Sequence, residues 1–287
     1  MEFFIDIIID ALTDTLRLVP FLFLTYLAME AIEHKAKGKT EEWIERAGST
    51  GPFVGALLGV FPQCGFSAAA STLYAGRVIS LGTLFAVFLA TSDEMLPILI
   101  AEQQPVLIIK ILGAKVIIGM VMGFIIDAAM RLVKRNEKHV HIHELCEQEH
   151  CDCEEGIVKS AIRHTLHVAL FVFLISLVLG GIISWVGEDT LGKFLAAQPV
   201  FSVFSYCLVG LIPNCAASVV ITELFLKGTI STGAMMGGLL TGAGIGLLVL
   251  FRANRPVKQT FLIVVALWVI GVAWGICFDA LGIVFAV

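Results

Sequence analysis

The stretch Gly59–Ser71, "GVFPQCGFSAAAS", decides the fold because it interrupts an apolar segment with proline, glutamine, cysteine and glycine. A helix that crosses lipid gains nothing from these residues, since proline and glycine loosen the backbone and a glutamine amide needs polar partners. The stretch Gly210–Ser218, "GLIPNCAAS", repeats the pattern. The two stretches therefore predict helix breaks at equivalent places in two parts of the chain.

The composition indicates a chain that is embedded in a membrane. Of its 287 residues, 58% are hydrophobic and 15% are charged, and the mean hydropathy is +0.93. No water-soluble domain of this size is so apolar. Apolar runs long enough to span a bilayer core cover residues 12–32, 51–75, 79–101, 105–133, 157–186, 198–226, 229–251 and 257–287. The sequence therefore predicts an all-α polytopic membrane protein.

The second half of the chain repeats the first. With an ungapped offset of 151, Gly59–Pro105 overlays Gly210–Pro256 with twelve identities in 47 positions. They include Gly59/Gly210, Pro62/Pro213, Cys64/Cys215, Ser67/Ser218, Ser80/Ser231 and Gly82/Gly233, and nearby offsets match Thr15/Thr165, Gly123/Gly275 and Asp127/Asp279. Shared proline, cysteine and serine at one spacing indicate a duplication. We predict a first membrane repeat over residues 1–133, a loop over 134–156 and a second repeat over 157–287.

The positive charges favour a topology with two re-entrant helical hairpins. If all eight runs crossed the membrane, Lys and Arg would divide about equally between its faces, against the usual cytoplasmic bias. If runs 51–76 and 199–227 enter and leave on the same face, fourteen of the Lys and Arg residues around the runs lie on one face and two, Lys193 and Lys227, lie on the other. The expected fold is then two inverted repeats, each with three transmembrane helices and one hairpin, or about ten hydrophobic segments. The termini are expected outside and the central loop in the cytosol.

The tips of the hairpins are expected to meet near the middle of the membrane. Eleven residues over Gly51–Phe61 would form roughly 16 Å of helix, about half of the ~30 Å hydrocarbon thickness. Irregular backbone at that depth is tolerated only where protein or a wet cavity surrounds it. Inverted repeats that meet through broken helices are typical of secondary transporters, which bind substrate between the repeats.

The two tips supply candidate substrate ligands. Their prolines free backbone carbonyls, and amides, thiols and hydroxyls follow within about one turn. The candidates are Pro62, Gln63, Cys64, Ser67, Pro213, Asn214, Cys215 and Ser218. The alternative is that prolines and small residues only let helices pack closely. Because both halves keep an amide and a thiol beside the proline, a binding role is favoured.

Two adjacent acids interrupt the third apolar run. In "ATSDEMLP", Ala90–Pro97, Asp93 and Glu94 lie in the middle of the run, and each costs about 2.5–3.5 kcal/mol at the centre of a membrane helix. They are therefore expected to face a cavity or to bind a cation. The matching stretch "TGAGIGLL", Thr241–Leu248, has three glycines and no acid. One half is thus expected to supply charge and the other to allow close backbone approach.

Three further charged residues lie within or beside apolar runs. We expect Lys110 and Lys115 to extend their side chains to an interface. Glu223, near the end of the second hairpin, is either a gate or a surface residue.

The central loop is rich in transition-metal ligands. Its candidate ligands are His139, His141, His143, Cys146, His150, Cys151 and Cys153. Their spacing matches no standard zinc finger, so we expect no defined fold, although short His- and Cys-rich tracts do bind metal. The loop could capture or sense metal in the cytosol, and the alternative is a solvated linker. The placement of the seven cysteines favours reduced thiols over a disulfide framework.

The sequence does not match the nucleotide-binding and hydrolase motifs with which its short stretches can be compared. Gly38–Thr40 resembles the end of a nucleotide-binding loop, but Glu33 stands where that loop needs a glycine. There is no metalloprotease motif and no nucleophile elbow. We therefore expect no enzyme activity, no permanently bound cofactor and no nucleic-acid partner, and transport would draw on an ion gradient.

Together, the paired Pro-x-Cys hairpins, the "TSDE" element and the His-rich loop between five-segment halves resemble the family of ten-helix heavy-metal exporters. Members of this family are labelled arsenic efflux permeases or manganese transporters, and the resemblance covers essentially the whole chain. It implies efflux of a metal or metalloid through the inner membrane of a prokaryote. It also implies a substrate role for Pro62, Gln63, Cys64, Asp93, Glu94, Pro213, Asn214 and Cys215.

The leading expectation is a secondary exporter of a heavy-metal ion. Mn²⁺ or a similar divalent cation is favoured because the carboxylates of Asp93 and Glu94 suit harder cations. One alternative is an arsenite or organoarsenical permease in which Cys64 and Cys215 bind the arsenic, and another is a metal-gated channel or sensor. The expected partners are the lipid bilayer, the transported metal ion or arsenical, and a coupling proton or ion. The sequence does not specify an oligomeric state.

Overall fold

The computed structural model describes most of the chain as helix. The described residues are 8–9, 11–13, 15–16, 19–20, 22–24, 26–27, 50–61, 64–92, 95–133, 157–186, 202–254 and 257–285. Within these ranges no strand occurs, so the prediction of an all-α protein is confirmed. The helices are α1 (Gly51–Gly59), α2 (Cys64–Ala75), α3 (Leu81–Ala90), α4 (Met95–Ala101), α5 (Pro105–Val133), α6 (Ile157–Val186), α7 (Ser202–Gly210), α8 (Cys215–Leu226), α9 (Thr232–Thr241), α10 (Gly246–Ala253) and α11 (Val257–Ala280).

Ten of the eleven helices named above correspond in pairs between the two halves. Each of α7–α10 begins 151 residues after its counterpart in α1–α4, and α11 begins 152 residues after α5. The sequence repeat is therefore also a repeat of helix boundaries. The insertion of the two repeats in opposite directions stays a prediction.

Among the described residues, five helical segments are long and apolar enough to cross a membrane. They are Leu81–Ala101, Pro105–Leu132, Ala161–Val178, Thr232–Ala253 and Val257–Ala280. Two of them are discontinuous, because α3 gives way to α4 after Thr91 and α9 gives way to α10 at residues 242–245. These broken spans are 69% and 83% buried, whereas the continuous spans are 33–35% buried. The broken helices therefore form the centre of the bundle.

A continuous helix on the outside carries an apolar stripe. On α6, Leu166, Leu170, Leu174 and Val178 follow one another every four residues, and each is more than half exposed. Residues at this spacing lie on one face of a helix. A row of exposed aliphatic side chains suits lipid rather than water. The chain is a multi-pass membrane protein.

An aspartate joins each broken span to the long helix that follows it. In the first half, the Asp127 carboxylate accepts hydrogen bonds from the Gly82 amide at 2.8 Å and from the Ser80 hydroxyl at 2.7 Å. Both donors lie at the N-terminal end of α3, where backbone amides have no partners within the helix. The same two bonds recur in the second half among Ser231, Gly233 and Asp279, each at 2.8 Å.

Glycine pairs bring these helices into direct backbone contact. A Cβ atom on Gly82 would collide with the carbonyl oxygen of Gly123, and one on Gly233 would collide with that of Gly275. We call these two places the glycine contacts. They hold α3 on α5 and α9 on α11, and they give a structural reason for the repeated glycines of the sequence.

The two halves pack on each other through exchanged elements. Helix α2 of the first half packs on α10 of the second, and α8 of the second half packs on α4 of the first. Helices α3 and α9 contact each other between them. The Ser71 hydroxyl donates to the carbonyl of Gly246 at 2.7 Å and so fixes α2 against α10. The packing between the halves is therefore reciprocal.

The helix pairs α1–α2 and α7–α8 correspond to the first and second predicted hairpins. They end beside opposite ends of α11. Arg77, which follows α2, donates from Nη2 to the Oε1 atom of Gln259 at 3.3 Å, near the start of α11. Ser231, which follows α8, donates to Asp279 near the end of α11. The twenty residues between Gln259 and Asp279 correspond to about 30 Å of helix, which is about the thickness of a bilayer core.

Candidate functional site

Helix α3 ends inside the protein at Thr91. The backbone leaves the helical conformation there, with ψ at 129°. Thr91 and Ser92 are buried, and their hydroxyls donate back to the carbonyls of Val87 at 2.8 Å and Ala90 at 3.0 Å. The chain resumes as α4 at Met95. The break thus places polar backbone and hydroxyl groups in the centre of the bundle.

A lysine from α5 lies at this break. Lys115 is 1% exposed, and its ammonium donates to the carbonyl oxygen of Thr91 and, at 2.7 Å, to that of Leu239. The expectation that Lys115 extends to an interface is therefore wrong, whereas Lys110 is exposed. Lys115 lies ten residues beyond Pro105, about 15 Å along the helix and near the middle of a ~30 Å hydrocarbon core.

Both carbonyls belong to the C-terminal ends of half-helices. Thr91 caps the end of α3, and Leu239 lies in the last turn of α9. The C-terminal end of a helix carries about half a negative elementary charge. Two negative helix ends therefore converge on one ammonium group. The matching position in the second half is the fully buried Leu267, so only the first half supplies this cation.

A small cavity lies between this break and the tip of the second hairpin. Thr91, Ser92 and Lys115 line it from the first half, and Asn214 and Ser218 from the second. Its volume is about 20 Å³, and a polar cavity of about 10–15 Å³ is already enough to hold one water molecule. The cavity can therefore hold one water or one desolvated ion among hydroxyl, amide and carbonyl oxygens.

The second hairpin carries four of the predicted site residues, and two of them line the cavity. Asn214 and Ser218 line the cavity, as stated above, and both are half-buried. Pro213 lies in the half-buried turn between α7 and α8. Cys215 is the first residue of α8, and its side chain lies outside the described residues.

The first hairpin packs against the second half through Ser67. Ser67 is fully buried, and a Cβ atom on Gly246 would lie 2.7 Å from its Cβ. The prediction that the glycines of Thr241–Leu248 allow close backbone approach is confirmed at Gly246. Cys64 is the first residue of α2, and its side chain lies outside the described residues.

Several predicted ligands lie outside the described residues, so their roles stay predictions. They are Pro62, Gln63, Asp93, Glu94 and the loop ligands His139, His141, His143, Cys146, His150, Cys151 and Cys153. In the chain order, Asp93 and Glu94 fall between Ser92 and Met95, which both line the cavity. Among the residues that the structure describes, no group of three or more His, Cys, Asp or Glu could hold a metal ion.

Glu223 belongs to the surface of the protein. Its side chain is 51% exposed and accepts a hydrogen bond from Lys227 at 3.1 Å. An exposed pair four residues apart on a helix adds little stability. Of the two alternatives for Glu223, this position supports the surface residue.

Comparison with known proteins gave one match. A family model with the description "Putative, 10TM heavy-metal exporter" matches residues 2–194, which is more than half of the chain. No curated protein and no solved structure gave a significant match. The family resemblance that the sequence motifs predicted is confirmed.

Proposed function

This chain belongs to the family of 10TM heavy-metal exporters, and we propose that it is a secondary-active transporter that exports a metal ion through a site between its two halves. The observation that carries this proposal is the cavity where the break after α3 meets the tip of the second hairpin. Broken helices present backbone carbonyls and charged helix ends inside the membrane, where an ion in transit has lost its water.

We also propose that α1–α2 and α7–α8 are re-entrant hairpins inserted from opposite faces. Helices of nine and twelve residues measure about 14 and 18 Å, too short to cross a ~30 Å core. The hairpins end beside opposite ends of α11, which supports opposite insertion. The distribution of Lys and Arg favours a cytosolic central loop and external termini.

A divalent cation such as Mn²⁺ is the favoured substrate. Asp93 and Glu94 lie in the chain between two residues that line the cavity, and carboxylates can neutralise a divalent ion. The hydroxyls of Ser92 and Ser218 and the amide of Asn214 add oxygen ligands of the kind that Mn²⁺ accepts.

Trivalent arsenic is the second candidate substrate. Cys64 and Cys215 are the first residues of α2 and α8, so each hairpin carries a soft sulfur ligand at its tip. Replacing both with serine distinguishes the candidates: loss of arsenical transport with intact metal transport favours the arsenical permease, and the reverse result favours the metal exporter.

The decisive experiment is uptake into inverted membrane vesicles. We expect saturable uptake of Mn²⁺ by the wild-type protein. In Asp93→Asn we expect the uptake rate to fall about tenfold or more, because the asparagine amide has no charge with which to neutralise the cation inside the membrane. Glu223→Gln is the matched control, since that acid is exposed and pairs with Lys227 on its own helix. Absence of saturable uptake for every metal and arsenical in a panel would overturn the proposal.

A metal-gated channel or sensor is the alternative from another class. In that case the loop ligands from His139 to Cys153 would be the receptor. Saturable flux that survives deletion of residues 139–153 excludes this alternative, whereas flux that requires the loop and does not saturate supports it.

A further inference from the structure

The environment of Lys115 resembles a binding site for a cation. Among the described residues that line the central cavity, Lys115 carries the only charge. Its ammonium contacts two carbonyl oxygens, one from the end of α3 and one from the end of α9. Membrane transporters use such carbonyls, at the C-terminal ends of half-helices, to coordinate the ions that they move. The ammonium therefore occupies a position with the ligands and charge that a metal ion needs.

An ammonium group and a divalent ion cannot share this position. Two like charges about 4 Å apart repel strongly in an interior of low dielectric constant. The cavity of about 20 Å³ holds at most one water or one desolvated ion, so an ion that entered it would lie directly beside the ammonium. Entry of a cation thus requires that the Lys115 side chain withdraw from Thr91 and Leu239.

We infer that Lys115 is a tethered cation, which fills the ion position when no substrate is bound and which the exported ion must displace. This inference rests on the proposed function and specifies its substrate as a cation, because a neutral arsenical would not compete with an ammonium group. The first half supplies the tethered cation, and the second half carries Leu267 at the matching position.

The tethered cation also explains how the empty transporter returns. Without substrate and without the Lys115 ammonium, two negative helix ends would face each other in the middle of the membrane. The ammonium neutralises these helix ends after the ion leaves, so the empty protein can change between its inward-open and outward-open states. Net export needs this return step, whereas the exchange of one bound ion for another does not.

The test compares variants of Lys115 in purified protein and in proteoliposomes. In Lys115→Gln we expect the apparent affinity for Mn²⁺ to rise about tenfold or more, because the competing charge is gone. We also expect net Mn²⁺ efflux to fall about tenfold while Mn²⁺/Mn²⁺ exchange persists. Lys115→Arg keeps the charge and should keep affinity closer to wild type. Lys110→Gln, on the exposed side of the same helix, is the matched control and should change neither quantity.

The outcomes separate the inference from the proposed function. Unchanged or weaker Mn²⁺ affinity in Lys115→Gln, or equal loss of exchange and net efflux, overturns the tethered cation. If that variant does not fold, Lys115→Leu, which introduces the residue of the second half, replaces it in both assays. Absence of saturable flux in the wild-type protein overturns the proposed function itself, whatever the variants do.

Discussion

Gly246 brings the N-terminal end of α10 into contact with α2, and so joins the two halves beside the central site. A Cβ atom there would lie 2.7 Å from the Cβ of Ser67 and 2.9 Å from its carbonyl oxygen. The Ser71 hydroxyl donates to the Gly246 carbonyl at the same place. A backbone atom cannot move aside as a flexible side chain can, so no larger residue fits at this position.

Replacement of Gly246 by alanine should therefore destabilise the protein. We expect a loss of about 1–3 kcal/mol from overpacking, and slower Mn²⁺ uptake because α10 moves away from α2. The measurements are thermal unfolding in detergent and vesicle uptake. Gly113→Ala is the control, because a Cβ atom there meets nothing within 4 Å. Equal unfolding temperatures for the two variants would contradict the prediction.

The two lysines of α5 show what residue-level sequence analysis captures and what it misses. Lys110 and Lys115 look alike in a hydropathy profile, and the long side chain of lysine can reach an interface from shallow positions. They differ in their depth in the membrane, since the helix starts at Pro105 and Lys115 lies ten residues beyond that proline. Counting from that proline would have placed Lys115 near the midplane. Its partners were not predictable, because Thr91 and Leu239 are distant in sequence.

At the scale of elements, the ends of the two hairpins share a left-handed residue. Arg77 after α2 has φ of 59°, and Gly228 at the matching position after α8 has φ of 68°. Glycine adopts this conformation without strain, whereas in other residues the Cβ atom makes it unfavourable. Arg77 compensates by its bond to Gln259 and by lying 5.5 Å above the ring of Tyr74. The turn after α2 is thus strained at Arg77, and the side chain of the same residue attaches this turn to α11.

Variants at these positions should separate strain from attachment. Arg77→Ala loses the attachment and keeps the strain, whereas Arg77→Gly loses both, so the glycine variant should be more stable than the alanine variant by about 1 kcal/mol. Gly228→Ala should destabilise by a similar amount for the same reason. Thermal unfolding in one detergent checks both comparisons, and equal stability of the Arg77 variants would show that the turn carries no strain.

The helix breaks and the repeat were predictable at this scale, but the capping aspartates were not. Proline, glycine and acids within apolar runs mark the breaks locally, and identities at one offset mark the repeat. Asp127 appeared only as a match to Asp279, because its partners Ser80 and Gly82 lie more than forty residues away. A bond between distant residues leaves no local signal in one sequence.

At the scale of the whole molecule, the contacts between the two halves bear on the direction in which each half is inserted. The packing of α2 on α10 and of α8 on α4 relates the halves by reciprocal contacts. The hairpin ends lie beside opposite ends of α11. Both observations agree with the inverted repeats that the distribution of positive charge predicts.

Labelling from each side of the membrane tests this arrangement. We expect Arg131→Cys to react with an impermeant thiol reagent only from the cytosolic side, and Lys227→Cys only from the external side. Both positions are exposed, and the native cysteines are first replaced by serine. Reaction of both from the same side would contradict opposite insertion of the hairpins.

The glycine contacts have a mechanical consequence. Because α3 touches α5, and α9 touches α11, backbone to backbone, neither pair can slide without atomic collision. Each pair should therefore move as one rigid unit, and the halves meet through the contacts of α2 with α10, of α8 with α4 and of α3 with α9. If the proposed transport cycle moves one half against the other, these contacts between the halves are expected to change while the glycine contacts within each half stay intact.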